Sequence, residues 1–227
     1  YGIALHASPT IPSGKVGFGK GYIMANTESV DIKIFGQGSH GAAPHMSIDP
    51  IVTASMIVME LQTIVSRNVP PTQRIVLSIT KIHSGSAYNV IPSDCSLSGT
   101  MRYFDEEIAK LVRKRMREII DGVKKSYNVE IELDNREIFD VLINDQQLSE
   151  VMHEVASEIV GKENAFFRTD LVTGSEDFSD MLKVVPGAYC NIAHGGSLPL
   201  HNDGFILDDG ILPIGASIYA RLVEKRG

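Results

Sequence analysis

The sequence predicts a mixed α/β fold in which one compact unit is inserted into a second domain. Residues 27–136 alternate strand-like and helix-like patterns in the order β-α-β-β-α-β, which is the ferredoxin-like split arrangement. The flanks, 1–26 and 137–227, carry short strands and amphipathic helices that are typical of α/β layering. We therefore expect the two flanks to form one domain, joined in space although they are far apart in sequence.

The elements of the inserted segment follow from local patterns. Alternating apolar and polar residues over 30–35 predict a half-buried strand. Asp49 before Pro50 is typical of a helix start, with the aspartate as N-cap and the proline at the first helical position. The remaining elements are strands expected at 73–83, 95–104 and 129–133, with a second helix that begins after Asp105.

The flanks give fewer but similar signals. A short strand ends at His6, a helix around 148–159 ends at Gly161, and an apolar strand covers 187–193. A final helix is expected after the Asp208–Asp209 pair. The chain starts with tyrosine and runs directly into an apolar stretch, so we expect it to be part of a longer protein.

Composition excludes several classes of function. A hydrophobic share of 43% and a charged share of 22% are ordinary for a water-soluble globular protein. The formal net charge of -7 argues against nucleic-acid binding, which needs a basic surface. A basic run at 110–117 is expected to be a solvated helix face. No apolar run is long enough to span a bilayer, no signal peptide is recognisable, and two cysteines indicate a reducing, cytoplasmic setting.

The most informative motif is the run Gly-Ser-His-Gly-Ala-Ala-Pro-His at 38–45. It places an imidazole among small residues directly after a strand, where the backbone can approach a ligand closely. An isolated histidine of this kind would more often face water in a turn. Two further segments argue for function here, and these are Ser-Ala-Tyr-Asn-Val-Ile-Pro at 86–92 and Leu-Ser-Gly-Thr-Met-Arg at 97–102.

Together these segments resemble the lid domain of metal-dependent amidohydrolases of the aminoacylase, carboxypeptidase G and hippurate hydrolase group. Ile-Ala-Leu-His at 3–6 and Leu-His at 200–201, followed by Phe-Ile-Leu-Asp-Asp at 205–209, look like two metal-binding segments of the hippurate hydrolase branch. The resemblance covers essentially the whole chain. It implies a lid inserted in a partial metallopeptidase catalytic domain, with hydrolysis of the amide bond of an N-acyl amino acid as the activity of the parent protein.

The resemblance also implies roles for single residues. It implies His6 and His201 as metal ligands and His40 as the lid histidine that hydrogen-bonds the substrate carbonyl, often across a dimer interface. Asn89 and Arg102 resemble the groups that hold the substrate carboxylate, a task that suits the planar guanidinium. Gly174 is expected to bring backbone close to the substrate. For the adjacent Glu176–Asp177 pair, family position suggests nearness to the cleft, whereas composition suggests helix capping.

Two divalent metal ions (zinc, manganese, nickel or cobalt) are implied for the parent enzyme. Relatives carry a general-base glutamate and further metal ligands upstream of the first histidine, and nothing of this kind precedes His6. We therefore expect this chain to be incomplete on its own, with negligible activity and weak or no metal binding. Expected partners are a small N-acyl amino acid and a second copy bound through the lid, and neither nucleic acid nor membrane.

Two other interpretations stay open at this point. The chain could be a catalytically silent lid and dimerisation fragment that pairs its edge strands with a second copy. It could also be an acidic small-molecule-binding domain without a metal.

Overall fold

The computed structural model describes residues 1–9, 11–196 and 198–226. Over these residues the strands are β1 Gly2–Ser8, β2 Val16–Phe18, β3 Gly21–Met24, β4 Thr27–Phe35, β5 Ser39–His40, β6 Ile75–Ser84, β7 Val90–Ile91, β8 Asp94–Tyr103, β9 Glu130–Phe139, β10 Leu142–Asn144, β11 Ala165–Phe167 and β12 Gly187–Ala193. The α-helices are α1 Pro50–Arg67, α2 Glu106–Tyr127, α3 Gln146–Val160, α4 Phe178–Leu182 and α5 Leu212–Arg226. The fold is a mixed α/β one with several sheets, as the sequence predicts.

The chain divides into two compact units. Residues 25–140 form one of them, which we call the inserted unit. Residues 1–24 and 141–227 form the other, which we call the flanking unit.

The inserted unit is built on an antiparallel sheet with the strand order β6-β8-β4-β9. With α1 and α2 placed between the strands in sequence, this is the split arrangement that the alternating patterns predict. The two helices pack against each other and against one face of the sheet. The core between them is apolar and includes Val30, Ile32, Ile34, Ile57, Leu61, Leu97, Met101, Val112 and Met116.

Capping at both helices of this unit agrees with the sequence. The Asp49 carboxylate accepts hydrogen bonds from the backbone N–H groups of Ile51 and Val52, at 2.8 and 3.3 Å. Asp105 accepts one from the N–H of Glu107 at 2.8 Å. These bonds satisfy donors that the first helical turn leaves free, so both helix starts are fixed locally.

One expectation about the basic run at 110–117 is wrong. Arg113 does not lie on a solvated face, because its guanidinium reaches Glu28, whose side chain is 1% exposed, at 2.7 Å. It also donates to the hydroxyl of Tyr103 at 2.9 Å and pairs with Glu106 at 2.7 Å. A buried carboxylate needs such a set of partners, since desolvation alone would make its charge costly.

The flanking unit contains a four-stranded mixed sheet with the order β1-β12-β2-β11. β1 pairs in parallel with β12, and β12 pairs antiparallel with β2. Helices α3 and α5 pack against each other, and the shared core includes Val16, Phe18, Met152, Val155, Cys190, Ile192, Ile218 and Leu222. As expected, α3 ends at Gly161, whose φ of 89° suits a residue without a side chain.

Two further details concern single side chains. Cys95 and Cys190 are both free and buried, and burial raises the pKa of each thiol. His153 is not solvated, although it falls among polar helix positions. Its ring stacks on Phe167 with centroids 4.5 Å apart, and its Nε2 bonds the carbonyl oxygen of Ala165.

None of the helices in the described part of the chain has both the length and the apolar character needed to cross a bilayer.

Candidate functional site

His6 lies near the C-terminal end of β1 and is half-buried. Its Nδ1 is 2.7 Å from the carbonyl oxygen of Ala7. A carbonyl oxygen only accepts hydrogen bonds, so Nδ1 must carry the proton. The lone pair of the neutral ring is then on Nε2, which is the form in which a histidine can bind a metal ion.

His40 has the opposite hydrogen-bond pattern. It is exposed at the end of β5, and its Nδ1 is 3.1 Å from the backbone nitrogen of Ala42. A backbone N–H only donates, so Nδ1 holds a lone pair and the proton of the neutral ring is on Nε2. His40 can therefore donate a hydrogen bond from Nε2 to an oxygen of a bound molecule.

The loop that carries Asn89 lies directly beside His40. β5 and β7 pair as a short antiparallel ribbon, and the N–H of Gly41 donates to the carbonyl oxygen of Asn89 at 2.7 Å. At Gly38, a side chain would meet the carbonyl oxygen of Ile91 at 2.8 Å, so the close approach of the two segments requires glycine there. The small residues of the motif thus serve to bring His40 and Asn89 together.

A cleft of about 750 Å³ opens next to His40. Its lining combines apolar Val90 and Pro92 with polar Ser86, Ser93 and Asp94. A cleft of this volume can hold a small organic molecule. Tyr88 lies in sequence between the lining residues Ser86 and Val90 and is fully exposed to solvent.

Arg102 lies at the other end of the same sheet. Its guanidinium donates to the hydroxyl of Thr27, at the start of β4, and burial lowers the pKa of Arg102. The cleft beside His40 includes Asp94, which pairs with Phe35 at the opposite end of β4. About eight residues of strand separate Asp94 from Arg102, which corresponds to roughly 25 Å. The inserted unit therefore brings His40 and Asn89 together but keeps Arg102 away from them.

The other two predicted site residues belong to the flanking unit. His201 is exposed in a turn and has a φ of 63°, in the left-handed region that few non-glycine residues adopt. Backbone strain of this kind is often found at functional sites. Gly174 is half-buried, and a side chain there would meet the flexible end of Met24 at 3.2 Å. Space around Gly174 is therefore limited, but only by a side chain that can move.

For Glu176 the sequence leaves two interpretations open, and in the structure its half-buried carboxylate interacts electrostatically with His6. Burial, followed by the neighbouring Glu176 carboxylate, raises the pKa of the Tyr189 hydroxyl. Burial raises the pKa of Glu176, a hydrogen bond with Asp177 raises it further, and the interaction with His6 opposes both. The helix-capping interpretation is wrong for Asp177, the N-cap of α4, which makes no side-chain capping bond. For Glu176 both interpretations stay open, because a hydrogen bond from the backbone N–H of Phe178, the first residue of α4, also lowers its pKa.

His194 is a second histidine whose environment the sequence does not reveal. It is 5% exposed and packs edge-on against Phe205, with ring centroids 5.2 Å apart. Its Nε2 is buried, and within the described residues it has no hydrogen-bond partner. It follows β12 at the same end of the sheet as His6, because β1 and β12 are parallel.

The donor groups near His6 suit a divalent metal ion. An imidazole with a free Nε2 and a nearby carboxylate are ligand types that zinc, manganese, nickel and cobalt all accept. Over residues 1–9, 11–196 and 198–226, however, no three His, Cys, Asp or Glu side chains are grouped so that they could hold a metal by themselves. The described residues therefore fit a part of a metal site and do not complete one.

Comparisons with known proteins give a consistent result. Residues 25–128 match the family model of the peptidase dimerisation domain. Hippurate hydrolase from Campylobacter jejuni is 32% identical over 225 residues, which are 99% of this chain and 59% of that protein. N-acetylcysteine deacetylase from Bacillus subtilis is 31% identical over 218 residues, 96% of this chain and 57% of that protein. The crystal structure of a dinuclear metal-binding M20 peptidase from Bacillus subtilis superposes with a TM-score of 0.77 at 26% identity, covering 97% of this chain and 55% of that one.

The inserted βαββαβ unit and the flanking unit together therefore resemble peptidases and deacylating hydrolases over nearly the whole chain. Residues 25–128 match the peptidase dimerisation domain, and the chain is similar over nearly its whole length to a solved peptidase of the M20 family. The chain spans between 57% and 59% of the length of the two curated relatives described above. The activity of the whole protein is therefore a matter for a proposal.

Proposed function

We propose that the protein carrying this chain hydrolyses the amide bond of an N-acyl amino acid in a metal-dependent reaction. The observation that supports this most directly is the pair of opposite histidine tautomers. His6 presents a lone pair, which a metal site needs, and His40 presents an N–H donor, which a developing oxyanion needs. Relatives named as a hippurate hydrolase and as a deacetylase support the same reaction class.

In this proposal His6 and His201 each supply one nitrogen ligand to the metal site. Two divalent ions held in such a site lower the pKa of a bound water and polarise the amide carbonyl. His40 donates its Nε2–H to the carbonyl oxygen as negative charge develops there. One such donor contributes about 10²–10³-fold to the rate of acyl transfer in other hydrolases.

Arg102 and Asn89 are proposed to recognise the substrate carboxylate. A guanidinium offers two parallel N–H groups to a carboxylate, and an amide adds a further donor. Gly174 is proposed to allow close approach of the backbone to the substrate. The inserted unit, with the boundaries 27–136 expected from the sequence, acts as the lid, and residues 1–26 and 137–227 act as part of the catalytic domain.

The distance within the inserted unit argues for a homodimer. His40 and Arg102 are separated by roughly 25 Å along the sheet, which is far longer than an N-acyl amino acid. One copy of the lid therefore cannot apply both side chains to one substrate. Two copies can, if one supplies His40 and Asn89 while the other supplies Arg102.

A second candidate function is that of a silent dimerisation module. β6 is an edge strand of the sheet, and Val76 and Ile82 on it are exposed, as are Ile51, Val52 and Met59 on α1. An edge strand with exposed apolar side chains is a surface suited to pairing with a second copy. This function would need neither His6 nor His201.

One experiment separates the two. The intact protein is loaded with zinc, manganese, nickel or cobalt, and amino-acid release from N-benzoylglycine and from N-acetyl amino acids is measured before and after chelation. The proposal expects turnover that chelation abolishes and that His6→Ala removes. A dimeric protein that binds metal but releases no amino acid from any N-acyl substrate would favour the silent module.

A further inference from the structure

The guanidinium of Arg102 is held by a buried threonine at one end of the sheet of the inserted unit. Its Nη1 donates a hydrogen bond to the hydroxyl of Thr27, the first residue of β4, which is 7% exposed. Glu28 pairs with Met101 in the antiparallel ladder of β4 and β8. One residue earlier on β4 therefore lies opposite one residue later on β8, so Thr27 and Arg102 face each other across the two strands.

Both side chains lie on the face of the sheet that α1 and α2 do not cover. Successive residues of a strand point to opposite faces. Met101 and Tyr103, on either side of Arg102, are buried in the core against the helices. Arg102 points the other way and is only partly buried. A guanidinium at this depth attracts a carboxylate more strongly than one in bulk water, because the surroundings screen the charges less.

A separate set of bonds fixes the same strand ends on the helix face. Arg113 on α2 binds Glu28, the neighbour of Thr27, at 2.7 Å. Its guanidinium also donates to the hydroxyl of Tyr103, the neighbour of Arg102, at 2.9 Å. Helix α2 therefore joins the two strand ends independently of the bond between Thr27 and Arg102. That bond orients the guanidinium on a support that is already fixed.

The backbone also changes its pairing at Thr27. The register of β4 with β9 shifts between Thr27 and Glu28, where β9 carries one extra residue, Ile138. A bulge of this kind changes the direction of the side chains beside it, and bulges are frequent next to functional sites. A bulge beside the residue that holds Arg102 is a second observation in favour of a functional role.

We propose that Thr27 is a positioning residue for Arg102. Its hydroxyl holds Nη1, and with it the plane of the guanidinium, so that two parallel N–H groups face the substrate carboxylate. Thr27 is itself too buried to bind the substrate, so it acts through Arg102. This proposal rests on the proposed function in one respect, namely that Arg102 binds the carboxylate of an N-acyl amino acid.

The test measures kcat and KM of the intact, metal-loaded protein with N-benzoylglycine and with its amide, which lacks the carboxylate. Thr27→Val keeps the size of the side chain and removes the hydroxyl. KM for the acid should then rise about tenfold, consistent with the weakening of one charged hydrogen bond, while kcat and KM for the amide change little. Thr27→Ser keeps the hydroxyl and should retain the wild-type KM. Thr80→Val is the matched control, because the Thr80 hydroxyl in the same sheet bonds the carbonyl oxygen of Ser98 at 3.4 Å.

A double variant separates positioning from a merely structural role. If Thr27 acts through Arg102, Thr27→Val should raise KM no further in an Arg102→Lys background, because the effects of two residues that act through one contact do not add. The melting temperature of Thr27→Val should equal that of the wild type, since the bonds of Arg113 hold the strand ends in both proteins.

The outcomes distinguish this proposal from the proposed function. A raised KM for Arg102→Lys, with KM of Thr27→Val within about twofold of the wild type, would overturn the positioning role and leave the proposed function intact. Additive effects in the double variant, or a Thr27→Ser variant no better than Thr27→Val, would overturn it in favour of a structural role. If neither Thr27→Val nor Arg102→Lys changes KM, carboxylate recognition by Arg102 is wrong as well. A wild-type protein that hydrolyses no N-acyl amino acid would contradict both proposals.

Discussion

The surroundings of His6 and His40 differ in one decisive respect. At His6 the group facing Nδ1 is a carbonyl oxygen, and at His40 it is a backbone N–H. The same side chain is therefore prepared as a lone-pair donor in the flanking unit and as a hydrogen-bond donor in the inserted unit. The local backbone, rather than the residue type, therefore decides which chemistry each histidine can perform.

The backbone difference follows from the two local structures. His6 sits in a regular strand, and its ring turns back onto the carbonyl of the next residue. His40 is followed by Gly41 and Ala42 in a tight turn, in which the N–H of Ala43 bonds the carbonyl of His40 and the N–H of Ala42 is left to face the ring. Small residues after His40 make this turn possible.

The largest effect is expected from His6→Ala. Removing a nitrogen ligand should weaken metal binding by more than the roughly 10–100-fold that outer-shell partners contribute, and activity should be lost with it. Metal content of the purified intact protein and cobalt titration check this. His153→Ala is the control, because His153 is bound to the Ala165 carbonyl and packed on Phe167, and both of these residues are on β11, three strands across the sheet from β1. Equal metal content in His6→Ala and wild type would contradict the role of His6 as a metal ligand.

His40→Ala should instead lower kcat by about 10²–10³-fold, the cost of losing one oxyanion donor. Metal affinity should stay unchanged, since His40 is proposed to touch the substrate and not the metal. His40→Gln keeps an N–H donor on a similar side chain and should recover part of the loss. A metal-free His40→Ala protein, or a His40→Gln variant no better than His40→Ala, would contradict the donor role.

Glu28→Gln tests stability without changing either histidine. Breaking a buried ion pair by removing one partner typically costs 3–5 kcal/mol, and Glu28 is the buried partner of Arg113. Urea unfolding should show a loss of about that size. The exposed pair Lys124–Glu130 provides the control, because Glu130→Gln should change the free energy of unfolding by about 1 kcal/mol or less. Similar losses in the free energy of unfolding for Glu28→Gln and Glu130→Gln would contradict the claim that burial makes the Glu28–Arg113 pair important for stability.

Arg102→Lys should have the smallest effect on the reaction. A lysine keeps the positive charge but cannot offer two parallel N–H groups to a carboxylate. We expect KM for an N-acyl amino acid to rise about tenfold, consistent with loss of one charged hydrogen bond, while kcat changes little. The matching substrate amide lacks the carboxylate. Its KM should therefore be the same for Arg102→Lys and for the wild type. A change confined to kcat would argue against carboxylate recognition.

The sequence predicts the architecture of the inserted unit well, because that architecture is encoded locally. Alternation over 30–35, the Asp49–Pro50 helix start and the Asp105 cap each act within a few neighbouring residues. The pairing of Arg113 with Glu28 is not of this kind. The two residues are 85 positions apart, and the packing of α2 against the sheet brings them together.

The candidate site divides in the same way. The motifs around His40 and Asn89 identify a ribbon that the structure does form. Tyr189 could not be assigned from sequence, since its relation to His6 depends on the parallel register of β1 and β12 across more than 180 residues. The alternation of strand residues around Tyr189 and Asn191 was the only available signal that both share a face.

The tautomers of His6 and His40 can be measured directly. Ring nitrogen chemical shifts from long-range proton–nitrogen NMR at a pH above the titration of both rings distinguish a protonated nitrogen from one with a lone pair. We expect a protonated Nδ1 at His6 and a protonated Nε2 at His40. A protonated Nε2 at His6, or the same tautomer at both residues, would contradict it.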